Sequence, residues 1–221
     1  MNALQRNELV WLSKFGWQRV LELGCDSEDQ SVLQHWAVAQ LPLVICRQRG
    51  ETLPGTISLG LPAPSIWNRR KLGLEVLPTD LERQGLFPSL EQIAQRNAEL
   101  PAIEDFLATM CSLNLPIQVY GSFGWQHLTS MHYVRPSSDL DVRVQVPDHA
   151  MAQVAARALS ALPLPIRVDG ELAFPDGSAI AWREYLQWTQ GEVDRVLVKN
   201  RTSVRLLESE ALLTMALSSS P

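Results

Sequence analysis

Two aspartates that lie two residues apart, Asp139 and Asp141, have the residue type and the spacing to bind a divalent metal ion. On a β-strand, residues two apart point to the same face and lie about 6.6 Å apart along the chain. Leu140 and Val142 would then point to the opposite face, toward a core. Carboxylate oxygens are the ligands that Mg²⁺ prefers, and Mg²⁺ usually completes its shell with water and substrate phosphate. The pattern predicts Mg²⁺ on Asp139 and Asp141, with both as catalytic residues of phosphoryl-group transfer.

A glycine and a serine upstream, Gly121 and Ser122, could bind the phosphates of a substrate. Residues 117–120 alternate as a short strand and run directly into this pair. A glycine lets the backbone approach a phosphate, and the start of the following helix offers unpaired N–H groups. The sequence therefore predicts a strand, a glycine turn and a helix that together form a phosphate-binding element.

A third carboxylate often completes such a metal site, and residues 167–172 form a predicted strand with two candidates. Both Asp169 and Glu171 fall on its polar face, and Glu171 is slightly preferred as the catalytic residue. Lys199 follows another predicted strand and could bind a triphosphate, since cationic side chains neutralise phosphate oxygens. A solvated surface charge is an equally good interpretation of Lys199.

The simplest alternative is that these residues only form a solvated strand face. An acidic-x-acidic triplet on an amphipathic strand is by itself typical of such a face. The elements follow one another in the order strand, Gly-Ser turn, helix and carboxylate-bearing strand. This order makes transfer of a nucleotide-like group about as strong an interpretation as a solvated strand face.

The composition indicates a soluble globular protein. The 221-residue chain is 46% hydrophobic and 19% charged, which is ordinary for a packed core. Its net charge of −5 disfavours nucleic acid as a partner, because nucleic-acid binding draws on many Lys and Arg contacts to phosphates. No apolar run reaches the roughly 18 residues that cross a bilayer, and residues 1–8 lack the apolar stretch of a signal peptide. We therefore expect no membrane contact and a cytoplasmic location.

Hydrophobic periodicity and turn residues predict an α+β fold with two domains. Residues 1–85 predict a small N-terminal domain of mixed α and β structure. Residues 86–221 predict a catalytic domain with a mixed sheet flanked by helices. The local signals are two capping boxes, a helix N-cap and a hairpin turn: Ser27 with Gln30, Ser89 with Gln92, Asp148, and Pro175-Asp176-Gly177.

A longer combination of residues resembles a known family. It comprises residues 120–129 with the run Trp125-Gln126-His127-Leu128-Thr129, then Tyr133, then Ser137-Ser138-Asp139-Leu140-Asp141. Together they resemble the phosphoribosyl-dephospho-CoA transferase family, also called malonate decarboxylase holo-[acyl carrier protein] synthase. The Gly-Ser and Asp-x-Asp elements are similar to those of the DNA polymerase β-like nucleotidyltransferase superfamily. Where that family usually has a His-Asp pair near the N-terminus, this sequence has Asn7-Glu8.

The resemblance implies a reaction and its partners. Such an enzyme transfers a 2′-(5″-phosphoribosyl)-3′-dephospho-CoA group from 2′-(5″-triphosphoribosyl)-3′-dephospho-CoA to a serine of the apo acyl carrier protein subunit of malonate decarboxylase, releasing diphosphate. It also implies Mg²⁺ on Asp139 and Asp141 and the triphosphate on Gly121 and Ser122. The basic run Arg69-Arg70-Lys71 would be a docking patch for an acidic carrier, or ordinary surface.

Two other functions stay open at this point. The same motif core is typical of nucleotidyltransferases that modify another hydroxyl, on a small molecule, a tRNA or a protein. A catalytically inactive relative that only binds is the other, although intact Asp139 and Asp141 argue against it.

Overall fold

The computed structural model describes residues 4–24, 26–48, 54–96, 103–161 and 166–212. These residues group into two compact units, of which unit 1 runs to Phe87 and unit 2 begins at Pro88. Two short later segments, Leu128–Tyr133 and Arg201–Ser203, also belong to unit 1. A division into residues 1–85 and 86–221 does not anticipate these returning segments.

Unit 1 is an antiparallel sheet with two helices. Its elements are β1 (Leu9–Leu12), α1 (Lys14–Glu22), α2 (Ser27–Ala39), β2 (Leu43–Ile45), β3 (Ile57–Pro62), β4 (Lys71–Val76) and β5 (Leu81–Gly85). The strands lie in the order β4-β3-β2-β1-β5, and each neighbouring pair is antiparallel. The apolar faces of the helices pack into the core, where Trp36 is fully buried and donates its indole N–H to the Pro42 carbonyl at 3.1 Å.

The start of α2 differs from the prediction by one residue. The carboxylate of Asp26, not the Ser27 hydroxyl, caps this helix, accepting the N–H groups of Glu28 at 3.0 Å and Asp29 at 2.9 Å. An N-cap carboxylate satisfies helix N–H groups that have no intrahelical partner and also interacts favourably with the helix dipole.

Unit 2 contains a mixed sheet and most of the helices. Its elements are α3 (Leu90–Arg96), α4 (Ile103–Ser112), β6 (Ile117–Val119), α5 (Gly121–Thr129), β7 (Leu140–Gln145), α6 (His149–Ala161), β8 (Val168–Ala173), β9 (Ala179–Ala181), α7 (Trp182–Thr189), β10 (Arg195–Lys199) and β11 (Val204–Glu208). The strand order is β11-β10-β9-β8-β7-β6. Strands β7 and β8 are parallel, joined through α6, while the other neighbouring pairs are antiparallel. The predicted α+β class and mixed sheet are confirmed.

Local sequence signals in unit 2 correspond to real contacts. The Ser89 N–H donates to the Gln92 side-chain oxygen at 2.9 Å, and the Gln92 N–H donates to the Ser89 hydroxyl at 3.3 Å, which is the predicted capping box. Asp148 accepts the Met151 N–H at 2.8 Å at the start of α6. The turn after Phe174 joins β8 to β9 as an antiparallel hairpin.

The two faces of β7 have opposite characters. Leu140, Val142 and Val144 are at most 1% exposed and pack in the core with residues of the helices. Asp141 and Arg143 alternate with them and therefore lie on the other face. The predicted alternation is confirmed, so one strand anchors in the core and presents polar groups away from it.

Within the described part of the chain, no helix has both the length and the apolar character needed to cross a bilayer.

Candidate active site

The glycine turn and the second aspartate of the Asp-x-Asp pair lie in direct contact. Gly121 begins α5 with φ +59°, a region that a side-chain-bearing residue rarely adopts. A Cβ at this position would lie 2.7 Å from Cγ and 3.1 Å from Cβ of Asp141. The Tyr120 N–H also donates to the Asp141 carbonyl at 3.0 Å, which joins the end of β6 to β7. Glycine is therefore needed twice here, for its backbone angle and for the room that the carboxylate takes.

The first turn of α5 supplies backbone donors beside that carboxylate. Intrahelical bonding in this helix starts with the Gly124 N–H, which donates to the Tyr120 carbonyl at 3.2 Å. The N–H groups at the start of a helix have no intrahelical acceptor, and they favour anions. Ser122 lies in this turn and is half-buried. The predicted phosphate-binding pair Gly121 and Ser122 thus adjoins the predicted metal ligand Asp141.

A third carboxylate lies beside Asp141 in the next strand. The parallel register places Asp169 of β8 opposite Asp141 of β7, and side chains opposite each other share a face of the sheet. Burial, then Asp169 and then Asp139 raise the pKa of Asp141 to about 6. Of the two candidates for the third carboxylate, Asp169 is the neighbour of Asp141.

Gly170 brings these two strands together. It lies in β8 with φ +139°, and a Cβ there would lie 2.7 Å from the carbonyl carbon and 2.8 Å from the nitrogen of Val142. The Gly170 N–H donates to the Asp169 carboxylate at 2.9 Å. The position matters for the site, yet sequence reasoning did not single it out. A glycine inside a strand often marks the close approach of another backbone, and that was the available signal.

Glu171 has a different surrounding from Asp169. It is 5% exposed and lies opposite Arg143 in the β7–β8 register. Its Oε1 lies 3.1 Å from Nζ of Lys199 on β10. The structure therefore joins two predicted site residues, Glu171 and Lys199, to each other as an ion pair.

Cationic side chains also lie at this edge of the sheet, and buried Arg143 is on the same face of β7 as Asp141. The guanidinium of Arg167 approaches the Asp139 carboxylate at 4.0 Å, and both side chains are substantially exposed. Among the described residues, no three His, Cys, Asp or Glu side chains are arranged to hold a metal ion by themselves. A cation bound to Asp139 and Asp141 would thus need further ligands from its substrate or from water.

The Trp-Gln-His-Leu-Thr segment is mostly structural. Trp125 is buried, and the Gln126 side-chain oxygen accepts the Val134 N–H at 2.9 Å. The Tyr133 hydroxyl donates to the Pro62 carbonyl at 2.8 Å within unit 1. The packing role that aromatic residues usually have is confirmed for Trp125.

The central residue of the basic run at residues 69–71 is held by acidic residues of its own unit. The guanidinium of Arg70 forms ion pairs with Asp26, Glu28 and Asp29 at the start of α2. Its charge is neutralised by unit 1 itself, because those carboxylates surround it. These ion pairs favour ordinary surface structure at Arg70, and docking of a carrier at residues 69–71 stays a prediction.

Strand-borne carboxylates beside a glycine turn and a helix start are suited to moving a group linked through phosphate. The fold and the site together define a transferase.

Comparison with known proteins identifies the family. The chain matches the family models for phosphoribosyl-dephospho-CoA transferase MdcG, its N-terminal domain over residues 5–85 and its C-terminal domain over residues 87–210. A relative named phosphoribosyl-dephospho-CoA transferase in Xanthomonas axonopodis pv. citri (strain 306) is 36% identical over 94% of this chain and 95% of its own length. A relative of the same name in Bradyrhizobium diazoefficiens is 32% identical over 96% of this chain and 93% of its own length. No solved structure matches the chain. The chain belongs to the phosphoribosyl-dephospho-CoA transferase MdcG family.

Proposed function

We propose that this chain transfers a 2′-(5″-phosphoribosyl)-3′-dephospho-CoA group from its 5″-triphosphoribosyl precursor to a serine of the apo acyl carrier subunit of malonate decarboxylase. Family membership supports the reaction class. The observation that carries the proposal is the contact between Gly121 and the Asp141 carboxylate, because it brings a phosphate-binding turn next to a carboxylate pair. The enzyme would work on the α-phosphate of the precursor and release diphosphate.

Asp139 and Asp141 are the residues proposed to hold Mg²⁺. Their chemistry fits the ion, since both offer hard oxygen ligands. Burial and then the neighbouring carboxylates raise the pKa of Asp141, and a bound cation would offset both effects. Bound there, the ion would neutralise charge on the phosphates and polarise the phosphorus–oxygen bonds. The precursor's phosphate oxygens and water would complete the ligand shell.

Asp169 is the residue proposed to accept the proton of the carrier serine. In the transfer step, the serine oxygen forms a bond to the α-phosphorus while the bond from that phosphorus to the diphosphate oxygen breaks. The hydroxyl proton goes to a carboxylate within reach, and Asp169 is opposite Asp141 in the register. The first-turn N–H groups of Gly121 and Ser122 would hold the phosphates in line for this attack.

The test is a direct transfer assay. The full chain is incubated with apo acyl carrier subunit, the triphosphoribosyl precursor and Mg²⁺, and the carrier is weighed by intact mass spectrometry. We expect the carrier to gain the mass of one phosphoribosyl-dephospho-CoA group, with one diphosphate released per carrier. A carrier whose acceptor serine is changed to alanine is the matched control and should stay unmodified.

An unchanged carrier mass, together with product formation from ATP and a different hydroxyl acceptor, would show a nucleotidyltransferase of another specificity. An unchanged mass with tight precursor binding would show an inactive binding protein. Either outcome would contradict the proposal.

A further inference from the structure

The Glu171–Lys199 ion pair joins two strands of unit 2 that are not neighbours. Glu171 lies on β8 and Lys199 on β10, with β9 between them. The Lys199 side chain is 32% exposed, whereas that of Glu171 is 6% exposed. The lysine side chain is thus partly exposed, while the carboxylate that binds it is buried.

Small residues on β9 leave room for this contact. The register pairs Lys199 with Ala179 and Glu171 with Ala181, so these four side chains share one face. Ile180, between the two alanines, is fully buried on the core side. The alternation Ala-Ile-Ala therefore clears a path along which the lysine stem reaches across β9 to Glu171.

This pair adjoins the carboxylate site. Glu171 follows Asp169 by two residues on the same strand face, a distance of about 6.6 Å along the backbone. The parallel register places Asp169 opposite Asp141, so the ion pair lies next to the carboxylate site along β8. The Glu171 carboxylate accepts a hydrogen bond from the Lys199 ammonium.

An ammonium has three N–H donors, and the hydrogen bond to Glu171 Oε1 engages one of them. The other two can donate to an anion. A lysine side chain loses considerable rotamer freedom when it is ordered, so a fixed carboxylate partner lowers the cost of presenting the ammonium to a ligand.

We infer that Glu171 is a positioning residue that holds Lys199 toward the carboxylate site, where the ammonium binds the two outer phosphates of the triphosphate substrate. This assignment rests on the proposed function. It separates the two acidic residues of β8 by role: Asp169 takes part in the chemistry, and Glu171 acts through Lys199.

The test measures phosphate binding and turnover separately in the full chain. Variants Glu171→Gln, Lys199→Met, Lys199→Arg and the double variant Glu171→Gln/Lys199→Met are compared with wild type. Initial rates with saturating apo carrier give KM for the precursor and kcat. Calorimetry with inorganic diphosphate and Mg²⁺ gives a dissociation constant that needs no turnover.

For Lys199→Met we expect KM for the precursor and Kd for diphosphate to rise about 10-fold to 100-fold, as loss of a hydrogen bond to a charged group predicts. Glu171→Gln should raise both in the same direction by about 3-fold to 10-fold, with kcat changed less than about threefold. The double variant should bind no more weakly than Lys199→Met alone, because Glu171 acts through the lysine. Lys199→Arg keeps the charge and should recover most of the affinity.

Arg195→Met is the matched control for removal of a charge from the same strand. Arg195 pairs with Glu208 at 2.8 Å on the exposed end of β10, and its loss should leave KM and the diphosphate Kd unchanged. Because Lys199→Met leaves a buried carboxylate without its ammonium, the double variant also separates lost phosphate binding from lost folding stability. Unfolding midpoints accompany every variant.

Unchanged KM and unchanged diphosphate affinity in both Glu171→Gln and Lys199→Met would overturn the inference, leaving the pair purely structural. A large fall in kcat with an altered Mg²⁺ requirement in Glu171→Gln would also overturn it, since Glu171 would then belong to the metal site. If wild type binds diphosphate but modifies no carrier, the proposed function fails, and the diphosphate titrations still decide the role of the pair.

Discussion

Two acidic clusters in this protein have opposite electrostatic surroundings. At the start of α2, Asp26 receives two backbone N–H groups and the guanidinium of Arg70, and these contacts lower its pKa. On the carboxylate edge of β7 and β8, burial and neighbouring aspartates raise the pKa of Asp141 to about 6. The first cluster is held by a guanidinium and backbone N–H groups of its own unit and stabilises a helix start. The second holds negative charge that a bound cation would relieve.

This difference teaches how to separate structural acidic residues from functional ones. Counting carboxylates along the sequence would rank Asp26, Glu28 and Asp29 above Asp139 and Asp141. The closeness of cationic partners reverses that order, since Arg70 directly contacts the first cluster and Arg167 only approaches Asp139 at 4.0 Å. Charged side chains with shifted pKa values are common at active sites. Such groups often lower the folding stability of the protein, because the site is arranged for function.

The largest expected effect comes from Asp141→Asn. We predict that transfer to the carrier falls by about 1000-fold or more, because the carboxylate proposed to bind Mg²⁺ is lost. The intact mass assay measures this fall. Near-normal turnover would refute the role of Asp141 as a metal ligand.

The same variant should be more stable than wild type in a chelator. An aspartate whose pKa is about 6 in the folded protein, against an ordinary 3.8, binds its proton more tightly when folded. Wild type therefore loses stability as pH rises through this interval, by about 1 to 2 kcal/mol after allowance for partial exposure. The free energy of unfolding of Asp141→Asn should equal that of wild type at about pH 3.5. Above about pH 7 it should exceed the wild-type value by the full amount. Urea titrations across that range measure it, and a gain independent of pH would contradict the unbalanced charge.

The second largest effect on transfer is expected from a side chain added at Gly121, beside the Asp141 carboxylate. Gly121→Ala would place a Cβ against Asp141 and should lower transfer by about 100-fold, as displaced catalytic groups do. Gly191→Ala is the matched control, since Gly191 also has positive φ, at +74°, but nothing lies within 4 Å of its added Cβ. Both variants carry backbone strain of about 1 kcal/mol or more, seen as a lower unfolding midpoint. Equal activity of the two variants would mean that the contact with Asp141 has no functional role.

The smallest effect on activity is expected at the acidic cluster around Arg70, at the start of α2. Arg70→Met should leave KM and kcat for the precursor and the carrier unchanged while slightly lowering the unfolding midpoint. Since the pKa of Asp26 is lowered in the folded protein, its stabilising contribution is present above the ordinary aspartate range and is lost as pH falls through the lowered value. The midpoint difference between wild type and Arg70→Met should therefore disappear in acid and in high salt. Thermal melts measure it, and a raised KM for the carrier would support Arg70 as a docking residue.

Local patterns determined a large part of the fold. Period-two alternation predicted β7 and its two faces, and the signals at Ser89, Asp148 and Pro175-Asp176-Gly177 correspond to capping and hairpin contacts. Each of these features depends on residues within a few positions of one another. The same holds for the Gly-Ser turn, whose position at the start of α5 follows from the strand before it.

What the sequence could not decide depends on contacts between distant residues. The parallel register of β7 and β8 decides which acidic residue of β8 lies beside Asp141. The α6 connection joins these two strands, and they approach each other closely at Gly170. Whether Arg70 can bind a partner protein depends on Asp26 and its neighbours, about forty positions earlier in the chain. Whether Glu171 can bind a metal ion depends on its ion pair with Lys199. A one-dimensional pattern records the charge of a side chain and the face it occupies. Only the tertiary structure brings together the charges that surround it, and those surroundings decide which carboxylates are candidates for binding a cation.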